Sequence, residues 1–318
     1  MESISRRHRC TLPRCLTWPF VLAVLGSLLT GCSRPEQTDK RIRVTTTVTM
    51  LTDLVRQIGG DKVLVQGLMG PGVDPHLYQA TQSDLSKLRQ ADVVFYCGLL
   101  LEGKMQDALE NLRRTGKPVH AVTRSIPKSS LIEPPDASGH FDPHIWFEVP
   151  LWSRCADVVV EGLVEADPDS KAYFEERAAE YKQRLETLHE WGLKKAAELP
   201  PEARILVTSH DAFAYFGRAY GFQVVALQGI STVSEPSLAD IVKMVEFVKT
   251  HRVKAIFVES SVPHRTIQRV SEDAGVRIGG ELFSDATGTP GEIEDGFDLG
   301  TYEGMFRHNM NAIVNALK

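Results

Sequence analysis

The tripeptide Asp-Pro-His occurs twice in this 318-residue chain, as Asp74-Pro75-His76 and as Asp142-Pro143-His144. A proline fixes its own φ and biases the residue before it toward an extended backbone, so each histidine is presented from a stiff turn. A third histidine, His210, stands just beyond the strand-like run Ile205-Leu206-Val207, within Thr208-Ser209-His210-Asp211-Ala212-Phe213. A fourth candidate, Asp285, lies in Leu282-Phe283-Ser284-Asp285-Ala286-Thr287-Gly288. Neutral imidazoles and a carboxylate are ligands that a divalent transition metal accepts. A lone loop histidine is ordinarily a solvated or capping residue. The repeated tripeptide and the strand-end position set His76, His144 and His210 apart from that background. His189, His251 and His308 fall in helix-like segments without a partner motif, and His140 reads as a solvated loop residue. Cys97 and Cys155 lack metal-site spacing and read as small buried hydrophobes.

The elements that must position these residues alternate strand and helix. Arg43 to Val48, Lys62 to Met69 and Val93 to Tyr96 are strand-like, whereas Leu51 to Ile58, Ser83 to Gln90 and Glu102 to Arg114 suit helices. That βαβα rhythm predicts a parallel sheet flanked by helices. A second block repeats it, with strands at Ile205 to Val207, Gln223 to Leu227 and Ala255 to Val258. Its helices fall at Ala212 to Tyr220, Leu238 to His251, Arg265 to Ala274 and Tyr302 to Leu317. Between the blocks, Asp167-Pro168-Asp169 opens a long helix as N-cap, first-turn proline and first-turn acid. Phe174, Ala178, Tyr181, Leu185 and Leu188 form one apolar stripe along it, and Pro200-Pro201 ends it. At about 1.5 Å per residue, thirty-odd residues span roughly 45 Å, enough to brace two lobes with little hinge opening. In parallel α/β sheets the carboxyl ends of the strands line the ligand crevice, which would bring the four candidates together between the lobes.

The N-terminus reads differently. Arg6, Arg7, Arg9 and Arg14 make a basic region, followed by an apolar run from Leu16 to Leu29 and then Leu29-Thr30-Gly31-Cys32. The run is short for a membrane span, and small residues before a cysteine resemble the lipobox of bacterial lipoproteins. Cleavage before Cys32, acylation of its thiol and a polar tether over 32–40 are therefore expected. Loss of residues 1–31 makes the chain three charges more negative than its formal −5. An acidic balance suits cations and argues against a nucleic-acid partner. The domain plan is a signal peptide over 1–31, lobes over 41–166 and 201–318, and the long helix over 167–200.

Several motifs in order carry a resemblance that runs from about Arg41 to the C-terminus. They are Pro71-Gly72-Val73-Asp74-Pro75-His76-Leu77-Tyr78-Gln79-Ala80-Thr81, Asp142-Pro143-His144-Ile145-Trp146 and Thr208-Ser209-His210-Asp211-Ala212-Phe213-Ala214-Tyr215-Phe216. Gly229-Ile230-Ser231-Thr232-Val233-Ser234-Glu235-Pro236-Ser237 and Phe257-Val258-Glu259-Ser260-Ser261 follow. Together they resemble the cluster A-I zinc- and manganese-binding lipoproteins of bacterial ABC importers. The resemblance implies two (β/α) lobes joined by a long helix, with the ion in the cleft. His76 and His144 would be ligands from the first lobe, and His210 and Asp285 from the second. Asp74, Asp142, Asp211 and Glu259 would orient the imidazoles from behind. It further implies an extracytoplasmic protein, in the periplasm or at the cell surface, that delivers its ion to a membrane permease; one metal per chain needs no partner, so a monomer is expected.

Histidine at position 210 favours zinc, because manganese-dedicated relatives tend to carry glutamate there. The stretch Ser125 to Phe141 is short and holds only His140, unlike the His- and acid-rich loop of many zinc importers, so manganese stays open. Zinc is the tighter binder in either case. Two rival readings are a zinc-dependent metalloenzyme, with Glu259 or Asp211 as general base, and a surface adhesin with a structural metal. The chain lacks His-Glu-x-x-His and Gly-x-Ser-x-Gly motifs, so no sequence signature supports catalysis. Metal affinity should fall with pH as the imidazoles take up protons near their ordinary pKa of about 6.5.

Overall fold

A computed structural model describes residues 39–134 and 139–318. The expected signal peptide and the acylated Cys32 lie outside these residues. The first lobe opens with β1 (Ile42–Thr46), α1 (Thr49–Gly59), β2 (Val63–Gly67), α2 (Gln82–Gln90), β3 (Val93–Tyr96), α3 (Gln106–Arg114) and β4 (Val119–Ala121). Its four strands are parallel in the order β2-β1-β3-β4, so β1 and β3 are central. β1 buries four of its five side chains, the pattern of a strand covered on both faces. α2 starts at a capping box in which Thr81 accepts from the Asp84 N–H and Asp84 accepts from the Thr81 N–H.

Two long helices follow, α4 (Val149–Ala166) and α5 (Lys171–Ala196), packed against each other. Phe174, Ala178, Tyr181, Leu185 and Leu188 are all buried along α5, so the apolar stripe faces the core. The helix is shorter than its sequence signals suggested. Asp167 is extended at φ −144° and Pro168–Ser170 forms a separate 3-10 turn, which leaves 26 residues in α5. That length spans about 39 Å. α5 packs on α1 and α4 of the first lobe and on α9 (below) of the second.

The second lobe contains β5 (Ile205–His210), α6 (Ala214–Tyr220), β6 (Gln223–Gln228), α7 (Leu238–Thr250), β7 (Ala255–Glu259), α8 (Arg265–Ala274) and β8 (Arg277–Leu282). It closes with a hairpin of β9 (Ile293–Glu294) and β10 (Phe297–Asp298), then α9 (Tyr302–Leu317). β5 pairs with β6 and β7 with β8, both in parallel, and β5 lies beside β7. The hairpin turns on Asp295 and Gly296 at φ 50° and 82°, the Asp-Gly turn whose twist matches an antiparallel pair. Gly279 in β8 is required by close approach: a methyl there would lie 2.8 Å from Ala316 Cβ, where α9 packs down.

One apolar core runs from β1 through α4 and α5 to Phe213, Phe216, Tyr302 and α9, so the lobes share it. A smaller core of Val207, Leu227, Met244, Ile256 and Ile267 lies within the second lobe. Polar contacts also cross between them. Thr49 Oγ1 accepts the Thr287 N–H (2.7 Å), Asp53 Oδ2 accepts the Tyr302 N–H (2.9 Å) and Tyr302 Oη donates to Trp146 O (2.7 Å). Cys97 and Cys155 are buried free thiols. Among the described residues no helix is long and apolar enough to cross a membrane.

Candidate metal centre

All three candidate histidines and the aspartate meet between the lobes. His76 follows the loop after β2, His144 ends the loop before α4, His210 is the last residue of β5 and Asp285 follows β8. Asp285 is 1 % exposed, His144 and His210 are 0 % exposed and His76 is 5 % exposed. One donor atom from each lies within 4.8 Å of the others. His76 Nε2 and His144 Nε2 are 3.3 Å apart, while Asp285 Oδ1 is 3.4 Å from His144 Nε2 and Asp285 Oδ2 is 3.4 Å from His210 Nε2. A tetrahedron of bonds about 2.0–2.2 Å long has edges of roughly 3.3–3.6 Å. These three separations match such edges, and the four donors together lie within 4.8 Å, close enough to converge on one ion.

Two rings are fixed from behind by carboxylates. Asp142 Oδ1 receives both the backbone N–H of His144 (2.9 Å) and its ring Nδ1 (2.7 Å). Glu259, at the end of β7, takes the backbone N–H groups of Ser209 (2.7 Å) and His210 (2.9 Å) on Oε1 and His210 Nδ1 on Oε2. With Nδ1 committed to a carboxylate, Nε2 faces the other donors as the available lone pair. Asp74 behaves differently: Oδ1 accepts only the backbone N–H of His76 (2.8 Å), and Oδ2 accepts from Thr232 Oγ1 (2.5 Å). The Asp211 side chain makes no hydrogen bond to any of the three imidazoles among the described residues; its backbone N–H donates to Gly229 O. His140 is exposed on its loop.

Four further residues support the centre. Ser261 Oγ donates to Asp285 Oδ2 (3.0 Å) and Trp146 Nε1 donates to Ser284 O (3.0 Å). Tyr215 Oη accepts the Ile132 N–H (3.0 Å) and donates to Asp142 O (2.9 Å). Thr232 completes the set through Asp74. All four lie inside or beside motifs that the sequence singles out, but their partners are more than twenty residues away, so spacing alone does not reveal the roles.

Charge in the cluster is strongly coupled. Burial pulls His76 down to about 3, with Asp285 opposing and the other two imidazoles assisting. Burial also works against a charge on His144, but Asp142 and Asp285 overcome it and lift the ring to about 9. His210 is raised in the same way by Glu259 and Asp285 against burial, and Asp285, though buried, is held well below the carboxylate range by His210 and His144. His210 Nε2 and Asp285 Oδ1 are buried without a hydrogen-bond partner. Each such atom costs on the order of 1–3 kcal/mol. A divalent cation coordinated by both removes that cost, so the donor set fits a metal.

Residues 44–316 match the family described as zinc-uptake complex component A, periplasmic (ZnuA). The chain belongs to that family. Manganese-binding lipoprotein MntA of Bacillus subtilis is 47% identical over 298 residues, covering 91% of this chain and 95% of that protein. Zinc-binding protein TroA of Treponema pallidum is 44% identical over 290 residues, covering 90% and 92%. The solved structure of periplasmic zinc-binding TroA superposes with a TM-score of 0.82, covering 87% of this chain and 99% of that one. The two-lobed α/β architecture with one long connecting helix and a buried His/Asp cluster is thus the fold of the cluster A-I solute-binding family. It is a transport family, and nothing in its name refers to catalysis.

Proposed function

We propose that this chain is the extracytoplasmic capture component of a metal ABC importer, taking one divalent ion through His76, His144 and His210 Nε2 and the Asp285 carboxylate. The observation that carries the reading is the convergence of these four buried donors, from four separate segments, within 4.8 Å. The lobes are divided at 41–166 and 201–318 with 167–200 between them, residues 1–31 are a signal peptide, 32–40 a tether, and Cys32 carries the lipid. The chain works as a monomer, because one chain supplies every ligand, and it hands the ion to a membrane permease.

The ion is zinc or manganese. With one carboxylate oxygen the set is four-coordinate and suits zinc. Asp285 presents both oxygens toward imidazoles, and a five-coordinate centre with two oxygens accommodates manganese as well. Zinc binds the tighter of the two in solution. The relatives named above are split between the metals.

An enzymatic reading fares worse. A hydrolytic zinc site keeps an open position for water, whereas here a fourth protein ligand occupies it. Glu259, the rival's general base, is fully committed to His210 and two backbone N–H groups.

The test is metal content by plasma mass spectrometry after dialysis of residues 33–318 against equal zinc and manganese, beside His210→Ala. One equivalent in the parent, largely lost in the variant, is expected. No stoichiometric metal in the parent overturns the reading.

A further inference from the structure

Thr232 lies in the Gly229 to Ser237 segment, which supplies no ligand. We infer that Thr232 is a positioning residue: through Asp74 it latches the His76 loop shut and sets how fast a bound ion leaves. The inference rests on the metal-capture reading above.

His76 is the loosest corner of the centre. It is the most exposed of the four residues at 5 %; Pro75 beside it is buried, but residues 71–74 and 77–80 are exposed or half-buried, with no regular structure between β2 and α2. His144 and His210 each give Nδ1 to a carboxylate, whereas His76 Nδ1 has no hydrogen bond among the described residues. Departure of an ion must break its coordination bonds one at a time, and the ring held least firmly is the first to swing away. What keeps that ring in place is therefore its backbone.

The backbone is held by one carboxylate that spans the cleft. Asp74 Oδ1 accepts the His76 N–H at 2.8 Å, and Asp74 Oδ2 accepts the Thr232 hydroxyl at 2.5 Å, from the opposite lobe. Thr232 is 8 % exposed and Asp74 half-buried, so the bond is partly shielded from water, and its carboxylate acceptor makes it charge-assisted, the stronger kind. Gly72 shows how closely the loop lies on the second lobe. It sits at φ +71°, and a methyl there would be 3.4 Å from Ser260 O. Opening the His76 loop breaks the Thr232–Asp74 bond but leaves Asp142, Glu259 and Asp285 in place. His144, His210 and Asp285 would then hold the ion while it is passed on.

The experiment loads the protein with zinc, mixes it with excess chromogenic chelator and reads the release rate by stopped flow. Thr232→Val keeps the shape and removes the hydroxyl; Thr232→Ser keeps the hydroxyl. Release should quicken about tenfold in Thr232→Val, corresponding to about 1.4 kcal/mol, and stay within about twofold of the parent in Thr232→Ser. Both variants should still bind one equivalent. Release from Thr232→Val at the parental rate overturns the latch while leaving metal capture standing. Equal acceleration in both variants also overturns it, since a loosened loop rather than a lost hydroxyl would then be the cause. A parent that binds no zinc refutes the capture reading itself.

Discussion

The two Asp-Pro-His tripeptides are identical in sequence and are used in opposite ways. At the second, the Asp142 carboxylate turns back on its own histidine and clamps both backbone N–H and ring Nδ1. At the first, Asp74 takes only the backbone N–H and spends its other oxygen on Thr232 across the cleft. Their surroundings differ to match. Asp142 to Phe147 are buried without a break, and Tyr215 and Trp146 pin the segment to the second lobe. On either side of Pro75-His76 the chain is exposed or half-buried, and Tyr78 Oη ties it to Leu68 O (3.3 Å) and Asp84 Oδ2 (2.7 Å) within its own lobe. The same three residues thus hold the imidazole ring by their own carboxylate in one setting and only the backbone in the other. Sequence identity of a motif specifies the donor, and packing specifies its freedom.

The largest effects should come from the ligands themselves. His144→Ala removes a ring fixed by Asp142 and should cost more affinity than the ~10–100-fold that an outer hydrogen-bond partner is worth. His76→Ala should cost less than His144→Ala, because three anchored donors remain. Competition titration against a chelator of known affinity decides the order, and a reversed order breaks the comparison. The next step down compares the aspartates. Asp142→Asn takes a charge from behind a ligating ring and should weaken binding by about 10–100-fold. Asp74→Asn, which touches no ring, should weaken it by less than about tenfold. Equal losses would mean that both aspartates serve their histidines alike.

Protons should divide the motifs again. An ion on Nε2 must displace any proton there, so a ring whose pKa is raised competes with metal up to that pKa, and a lowered one does not. His144 is raised to about 9 by Asp142 and Asp285 against burial, and His210 is raised as well. His76, lowered to about 3 chiefly by burial, stays neutral. Apparent zinc affinity should therefore fall with pH by up to about a hundredfold per unit across pH 5–8, as two protons are displaced. The competition reaches higher pH than the ordinary value near 6.5 implied. Asp142→Asn should flatten the slope toward one proton, while His76→Ala should leave it near two. Calorimetry in two buffers of different ionisation enthalpy counts the protons directly.

How much of this was legible beforehand follows from local signal strength. Helices α2 and α7, the α5 stripe and the histidines of the two Asp-Pro-His tripeptides were readable because each rests on residue type at short spacing. α4 shows in the sequence only as a helix-like stretch around Cys155, although Leu151, Trp152, Cys155, Ala156, Val158, Val159, Gly162 and Leu163 recur at helical spacing and are buried on one face. β4 has only three residues, and β8 carries Gly279, Gly280 and two charged residues, so neither shows a strand pattern. At the site, the four residues that converge were visible and the groups that hold them were not. Asp211 sits beside His210 in sequence yet orients no ring, whereas Glu259, 49 residues on, does. The sheet decides this: β5 and β7 are neighbours, which places the end of one strand against the end of the other.

The smallest predicted effect probes how the second motif is tied to the far lobe. Trp146 follows His144 by two residues, is fully buried and donates its indole N–H to Ser284 O, next to Asp285. Its ring also meets the His144 imidazole edge-on with centroids 5.2 Å apart. Trp146→Phe keeps an aromatic ring but leaves the Ser284 carbonyl without this donor, in a place that water does not reach. An unsatisfied buried acceptor costs on the order of 1–3 kcal/mol, so stability without metal should fall by that much in denaturant titrations. Zinc affinity should drop only a few-fold, because Asp285 keeps its Ser261 bond and His144 keeps Asp142. Were affinity to fall as far as in Asp142→Asn, the indole would be orienting Asp285 directly. Rigidity at the second motif would then depend on the lobe contact as much as on the carboxylate clamp.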